Sequence, residues 1–469
     1  MAMAGTNRIR KHTSVGPLAR LVVAVFAAAA LVSGALNMRP MLDNASGAGI
    51  LGDEGPSAMD TLVGRTARTS ASLDGRILAL QDALRGGDER AAGSVAVMLG
   101  QAYLQKARET GDPGYYPKAE ALFTQALEVQ GDNVDALVGL GVLAMARHQF
   151  AEALDWGERA RALNRRHTPA LGVVGDAQVE LGRYDDAVAT VQAMVDLRPD
   201  LASYSRVSYL RELMGDRDGA LLAMEQAVTA GASYAENIAW VKVQLGNLRF
   251  DGGDLAGAER EYAAAAEALP NFAPALAGQA RVAAARGDLE AAAALYGRAV
   301  TILPLPEFVV AYGDVLDAAG RPRDAAAQYA LVEAIQQLYA ANGVDTDLEL
   351  ALFTADYGDS AALPRAVEQA RAVVATRPSV IAWDVLAWTL YRSGDFEGAA
   401  AASAEALRLG TRNAMMLFHA GMIAAARGET DEAIAQLQAA LELNPYFSVR
   451  FGPEARSTLA QLQAEGVTS

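Results

Sequence analysis

An alanine-rich unit recurs along most of the chain at a nearly constant interval, and this repetition restricts the fold more than any other feature. From about residue 93 onward the apolar pattern is helical, without a stretch of strict alternation. Four segments bring their Gly and Pro residues into one register when aligned, namely residues 181–199, 252–270, 286–304 and 427–445. The units start at residues 93, 134, 168, 201, 239, 273, 306, 347, 380 and 414, a 34-residue period with three insertions. Such a period predicts stacked helical repeats.

Small residues hold fixed positions inside each unit. Position 20 is alanine in all ten units: Ala119, Ala153, Ala187, Ala220, Ala258, Ala292, Ala325, Ala366, Ala399 and Ala433. Small side chains at these positions let two helices approach closely where they cross. Glycine at position 15 in seven units is expected to end the first helix in a left-handed residue, and proline at position 32 in five units prevents the second helix from continuing. Each unit is therefore predicted to be a pair of helices, A and B.

These residues resemble the tetratricopeptide repeat family, whose unit is two antiparallel helices, and the resemblance covers roughly 355 of the 469 residues. It implies an all-α fold, a right-handed α-solenoid of about ten repeats that spans residues 93–447. A pre-repeat helix is expected within residues 62–92, and a capping helix and tail within residues 448–469.

The N-terminus has the pattern of a membrane-directed segment. Arg8, Arg10, Lys11 and Arg20 precede a stretch of eighteen residues without charge, Leu21 to Met38. Basic residues keep their end in the cytoplasm, so the rest of the chain is expected on the far side, either membrane-anchored or secreted. Cleavage after Ala35 and retention as an anchor both stay open, because eighteen residues just reach spanning length. Residues 1–38 are thus a predicted signal peptide or signal anchor, and residues 39–61 a flexible linker.

Composition and motifs argue against several functions. The absence of cysteine excludes disulfides, thiolate nucleophiles and Cys-ligated zinc. A formal net charge of −16 argues against nucleic acid, which is bound mainly through Lys and Arg. The four histidines are isolated, and no metal-binding, nucleophile-elbow or phosphate-loop motif occurs in the required context. We therefore predict no enzyme activity, no catalytic residue, no metal site and no cofactor.

The resemblance also implies where a partner binds. In the family, positions 2, 5, 9 and 12 of helix A line a concave groove that holds extended peptides or helices of partner proteins. The corresponding candidates here are Tyr209, Asn247, Arg281, Asp314, Asp317, Asp384, Trp388, Tyr391, Phe418 and Met422. The aromatic and Met-rich end in the last two repeats is expected to anchor apolar side chains. Trp388 and Tyr391 have a second interpretation, packing against the closing helix.

The leading hypothesis is a non-enzymatic scaffold, membrane-tethered or exported, that binds a protein or peptide partner in the concave groove. Two alternatives stay open. The solenoid has two ends and can self-assemble head to tail into a homo-oligomer. The C-terminal part of the groove can instead carry a small apolar ligand.

Overall fold

The computed structural model describes residues 72–86, 89–231 and 235–468. The described residues form 22 α-helices and no strand. In chain order the helices are α1 Leu73–Arg85, α2 Glu89–Thr110, α3 Tyr116–Val129, α4 Val134–Ala146, α5 Phe150–Leu163, α6 Thr168–Glu180, α7 Tyr184–Leu197, α8 Leu201–Leu213, α9 Arg217–Ala230, α10 Ala235–Asp251, α11 Leu255–Ala268, α12 Ala273–Ala285, α13 Leu289–Ile302, α14 Pro306–Ala318, α15 Pro322–Ala341, α16 Asp347–Tyr357, α17 Leu363–Thr376, α18 Val380–Ser393, α19 Phe396–Ala406, α20 Ala414–Ala426, α21 Thr430–Leu443 and α22 Phe451–Thr468. The predicted signal or anchor segment 1–38 and the linker 39–61 lie outside the described residues.

Helices α2 to α21 pack as consecutive helix-turn-helix pairs, and each pair stacks on the next. Helix α1 packs on α2 before the first pair, and α22 packs on α21 after the last. This confirms the predicted all-α fold of stacked helix pairs.

The alanines of position 20 lie where the two helices of each pair cross. Ala153, Ala258 and Ala433 are each 0% exposed, and the same holds to within one percentage point for all ten. A larger side chain there would push helix A away from helix B, since a packed interior has no spare volume. The sequence repeat is therefore a packing repeat.

The turn between helices A and B needs one residue in the left-handed region. Gly182 has φ +70° and Gly394 has φ +87°. In the second repeat His148 occupies the equivalent place with φ 59°. Its ring Nδ1 lies 2.7 Å from the backbone oxygen of Asp345, a contact that compensates for the less favourable backbone conformation.

The solenoid winds tightly enough that later repeats pack on earlier ones. The amide of Asp345, before the eighth repeat, donates to the carbonyl of Arg147 in the second, at 3.0 Å. Tyr184 at the start of α7 accepts a hydrogen bond from the amide of Val380 at the start of α18, at 2.8 Å and 196 positions away. The hydroxyl of Thr411 donates to the carbonyl of Leu213, 198 positions away. The second repeat thus meets the eighth, the third meets the ninth and the fourth meets the tenth.

Apolar side chains continue these contacts between the two turns of the solenoid. Val332, Ile335 and Tyr339 of the long helix α15 belong to the same buried cluster as the cores of the first three repeats. Val380 and Met416 share another cluster with the third and fourth repeats. The open concave groove that the family resemblance implied is therefore narrowed to cavities between one turn and the next.

Candidate partner-binding site

A cavity lies between the A helices of the middle repeats and the start of the tenth repeat. This inner cavity has a volume of about 410 Å³ and is lined by α10, α12 and α14 on one side and by residues 412–415 and 444–449 on the other. A small cavity of about 60 Å³ and a C-terminal cavity of about 270 Å³ adjoin it, and Glu212 and Asn413 border all three. The site therefore exists only because two turns of the solenoid come together.

Arg281 is the basic candidate, and it is held in place by its neighbours on α10. Its guanidinium donates to Asp251 Oδ1 at 2.8 Å and lies 4.1 Å from the ring centre of Phe250. Asn247 accepts a hydrogen bond from the hydroxyl of Tyr262 at 2.8 Å. The Arg281 side chain is still 32% exposed, so it can reach a ligand while Asp251 balances its charge.

Asp314 is partly buried and lies between two tyrosines. The hydroxyls of Tyr329 and Tyr357 donate to its Oδ1 at 2.8 and 2.9 Å. Burial raises the pKa of Asp314 to about 6, although these two hydrogen bonds oppose the shift. Asp317, one turn of helix later, is exposed. Asp314 and Asp317, both predicted groove residues, therefore have different environments.

Glu212 lies where the three cavities meet. It is partly exposed by surface area, yet protein surrounds the space into which its carboxyl group opens. Burial raises the pKa of Glu212 to about 8, and the nearby carboxylate of Asp251 adds to the shift. Arg217 opposes it without forming an ion pair with the carboxyl group in the described part of the chain.

The structure corrects the prediction that the aromatic end of the groove is an exposed anchor. Trp388 is 1% exposed and Phe418 is 0% exposed, and Met422 at 8% is also buried. Phe451 of α22 packs edge-on against Trp388, with ring centres 5.9 Å apart. These side chains fill the space under α22 and cannot anchor a partner in this conformation. The second interpretation, packing against the closing helix, is the one that fits.

Asp384 is drawn into the same arrangement by a histidine. His419 Nδ1 lies 3.1 Å from both carboxylate oxygens of Asp384, and its ring stacks on Trp388 at 4.2 Å. Trp388 Nε1 donates to Asp356 Oδ1 at 2.7 Å. Asp384 and His419 nevertheless border the C-terminal cavity, whereas Tyr391 stacks on Trp388 and is partly buried.

The predicted residues thus divide into four groups. Asn247, Arg281 and Asp314 line the inner cavity; Tyr209, which is 7% exposed, and Asp384 line the smaller cavities beside it. Asp317 faces solvent, and the residues under α22 are core. Trp240 and Gln244 were missed, although Trp240 occupies position 2 of its repeat and so belongs to the same stripe of helix A.

A sequence model of the tetratricopeptide repeat family matches residues 104–167, 243–305 and 385–446. The chain is a tetratricopeptide repeat (TPR) protein. Proteins of this kind are scaffolds for protein–protein interactions and are typically not catalytic. A search of curated proteins found no match to this TPR protein.

Solved structures with a similar fold cover different shares of the TPR protein. A tetratricopeptide repeat protein from Parabacteroides merdae is 16% identical, covers 52% of this chain and 93% of its own, and gives a TM-score of 0.39. A TPR protein from Thermus thermophilus is 23% identical over 41% of this chain and 98% of its own, with a TM-score of 0.36. A human IFIT1 dimer with m7Gppp-AAAA is 15% identical over 76% of this chain and 83% of its own, with a TM-score of 0.47. At these identities the similarity concerns the fold alone.

In the part of the chain that the structure describes, no group of three or more His, Asp or Glu side chains is arranged to hold a metal ion. No described helix combines the length and the hydropathy that crossing a membrane requires.

A buried ionic cluster lies where the two turns meet and is separate from the cavities. Arg206 forms two hydrogen bonds of 2.8 Å with the carboxylate of Asp176, which is 1% exposed. Burial raises the pKa of Glu180 to about 8, against the opposing charge of Arg377. The side chains of Glu349 and His148 are both 4% exposed and approach to 3.6 Å. Thr346 and Glu349 have the sequence spacing of a capping box, but no side-chain cap forms at the start of α16 and Glu349 turns into this cluster instead.

Proposed function

We propose that this protein is a non-enzymatic TPR scaffold that binds a peptide segment of a protein partner in the inner cavity, on the far side of a membrane. The observation that supports this most is the cavity itself, in which Asn247, Arg281 and Asp314 from three successive A helices face the start of the tenth repeat. A volume of about 410 Å³ is within the range of specific ligand sites and admits a few side chains of an extended segment.

The lining of the cavity suits a peptide better than a uniformly apolar ligand. It combines aromatic and aliphatic surface, such as Phe308 and Val449, with amide and carboxyl groups. A few polar groups on an apolar wall fix the orientation of a ligand and give specificity.

Filling the cavity tests the binding site. Ala311 lines the inner cavity, so Ala311→Trp should occupy part of it. Ala263→Trp is the matched control, because Ala263 is exposed on the outer helix α11. Cross-linked partners recovered with the full-length wild type should be lost with Ala311→Trp and kept with Ala263→Trp, provided that circular dichroism shows both variants folded. Partners that survive in Ala311→Trp would contradict the cavity as the binding site.

The proposed location on the far side of a membrane rests on the N-terminal sequence. There the basic residues Arg8, Arg10, Lys11 and Arg20 precede a segment without charge. Intact mass of the protein from membrane and soluble fractions distinguishes a retained anchor from cleavage after Ala35. A full-length mass in a soluble cytoplasmic fraction would contradict export.

Self-assembly and the carriage of a small apolar ligand stay alternatives to this proposal. Sedimentation across a concentration series tests the first, because a strict monomer excludes it. Native mass spectrometry tests the second, because a ligand of the C-terminal cavity would add its mass to that of the protein.

A further inference from the structure

We infer that the inner cavity receives a cationic side chain of the bound segment, held by the Glu212 carboxyl group, the Gln244 amide and the ring of Trp240. This inference rests on the proposed function, because it names the chemistry of the segment that binds there. It assigns a role to Glu212 and to two side chains, Gln244 and Trp240, that the predicted groove residues do not include.

Glu212 lies at the point where the internal spaces meet. It borders the inner cavity, the small cavity next to it and the C-terminal cavity. Its carboxyl oxygens form no hydrogen bond and no ion pair with any other described residue. A carboxyl group that is partly enclosed by protein and lacks a partner is less favourable when ionised, and a cation placed beside it reduces that cost.

Gln244 supplies a second polar group that lacks a partner. The residue is 8% exposed, and it lines both the inner cavity and the small cavity. Its side-chain amide has no hydrogen-bond partner among the residues that the structure describes. Its amide oxygen can therefore accept a hydrogen bond from a ligand, and that bond would add to the affinity of the ligand.

Trp240 gives the site an aromatic wall. It is 8% exposed and lines the same two cavities as Gln244. Ammonium and guanidinium groups are attracted to the face of an indole ring, and more strongly where water is excluded. A carboxyl group, an amide oxygen and an indole face together match a protonated Lys or Arg side chain.

The charges around the site also favour a cation. The walls of the inner and C-terminal cavities contain six acidic side chains: Glu212, Asp251, Glu307, Asp314, Asp356 and Asp384. The basic side chains in the same walls are Arg281, Arg412 and His419, and His419 lies beside Asp384. Arg281 is already bound to Asp251, and Arg412 is exposed. Arg217, which faces Glu212 from α9, donates to the backbone carbonyls of Asp251 and Leu248. The acids therefore outnumber the bases, and Glu212 has no cation of its own.

The test uses two small probes that differ chiefly in charge. N-acetyl-arginine amide carries a guanidinium group, and N-acetyl-citrulline amide carries a neutral urea of nearly the same shape. Each is titrated into the full-length protein in detergent, with the four Trp indoles labelled with ¹⁵N and Trp240 assigned by Trp240→Phe. The arginine probe should shift the Trp240 signal saturably, and the citrulline probe should bind at least about tenfold more weakly.

Variants identify the group that receives the charge. Glu212→Gln should weaken arginine binding at least about tenfold. Glu267→Gln should leave it unchanged, since Glu267 is exposed on α11 and outside the cavity. In the wild type the affinity should rise about tenfold from pH 6 to pH 7 and level off above pH 8, because the carboxyl group must lose its proton before it pairs with the cation. If Glu212→Gln does not fold, Gln244→Leu replaces it and should weaken binding severalfold.

Equal binding of both probes, or unchanged arginine binding in Glu212→Gln or in its folded replacement Gln244→Leu, would overturn the inference. That failure is distinguishable from failure of the proposed function. Loss of partners in Ala311→Trp together with equal binding of the probes rejects only the cationic side chain. Survival of partners in Ala311→Trp together with selective arginine binding rejects only the peptide-binding role of the cavity.

Discussion

The contact between the two turns of the solenoid can be tested by adding one methyl group. Gly182 and Gly394 occupy the same position in two repeats, and both have a left-handed backbone, with φ +70° and +87°. A β-carbon on Gly182 would lie 2.6 Å from the carbonyl oxygen of Pro378 in the next turn, whereas one on Gly394 would meet nothing within 4 Å. Alanine at the two positions therefore separates the cost of the turn conformation from the cost of disturbing the contact.

The expected magnitudes follow from these distances. The left-handed conformation costs a residue with a β-carbon about 1–2 kcal/mol, and this applies to both variants. Overpacking against a neighbour that cannot move freely adds about 1–3 kcal/mol. Pro378 is such a neighbour, because the main chain next to it is held by the hydrogen bond from Val380 to Tyr184. Gly182→Ala should thus cost about 2–5 kcal/mol and Gly394→Ala about 1–2 kcal/mol.

Hydrogen exchange measures the effect where it occurs. The Val380 amide lies at the contact, so its exchange should be at least about tenfold faster in Gly182→Ala than in Gly394→Ala. Small-angle scattering should show an expanded particle for Gly182→Ala only. Equal exchange rates at Val380 and equal scattering in the two variants would refute the packing of one turn on the other.

Three further predictions concern single side chains. Arg206→Met should lower the free energy of unfolding in urea by about 3–5 kcal/mol, and Asp176→Leu in the same chain should restore most of it; a double variant no more stable than the single one would contradict the buried pair. Because the folded-state pKa of Asp314, about 6, exceeds its ordinary value of 3.8, its contribution to the free energy of unfolding should fall by up to about 3 kcal/mol as pH rises from 4 to 6. Asp314→Asn should remove this slope from thermal melts, and an unchanged slope would contradict the prediction. Trp388→Ala should cost about 3–5 kcal/mol and speed the proteolytic release of α22, and unaltered proteolysis would argue against its packing role.

The fold could be predicted from sequence because its main determinant is local. Where helices A and B cross, one alanine such as Ala153 or Ala292 decides how closely they approach, and both partners lie within one repeat. Glycine and proline then fix the ends of the helices. Each of these effects acts within one repeat, so the repeat pattern in the sequence is enough to predict the helix pairs.

The winding of the solenoid could not be predicted in the same way. Its contacts join residues 196–198 positions apart, and they use backbone groups that every residue has, such as the carbonyls of Arg147 and Leu213. Gly182 touches the next turn and Gly394 does not, yet the two are equivalent in the repeat pattern. Only His148, at a position where other repeats have glycine, marks the interface in the sequence.

The error at the aromatic end has a different cause. A stripe of aromatic and Met side chains on helix A fits a binding surface and a buried contact equally well, since both remove apolar area from water. Trp388 and Phe418 became core because α22 lies over them. The polar residues of the stripe, such as Asp314 and Asn247, line a cavity instead, because carboxyl and amide groups disfavour complete burial.

The winding and the candidate site are physically one feature. Glu212 belongs to the fourth repeat and Asn413 precedes the tenth, and the hydrogen bond from Thr411 to Leu213 joins the same two repeats. A ligand that contacts both sides of the cavity binds the packed state more tightly than a loosened one, and so it must stabilise the packing of the turns. A change that lowers the population of the packed state must raise the apparent dissociation constant of the ligand in proportion. A substitution outside the cavity, such as Gly215→Ala beside Gly410, therefore reports on binding as well as on winding.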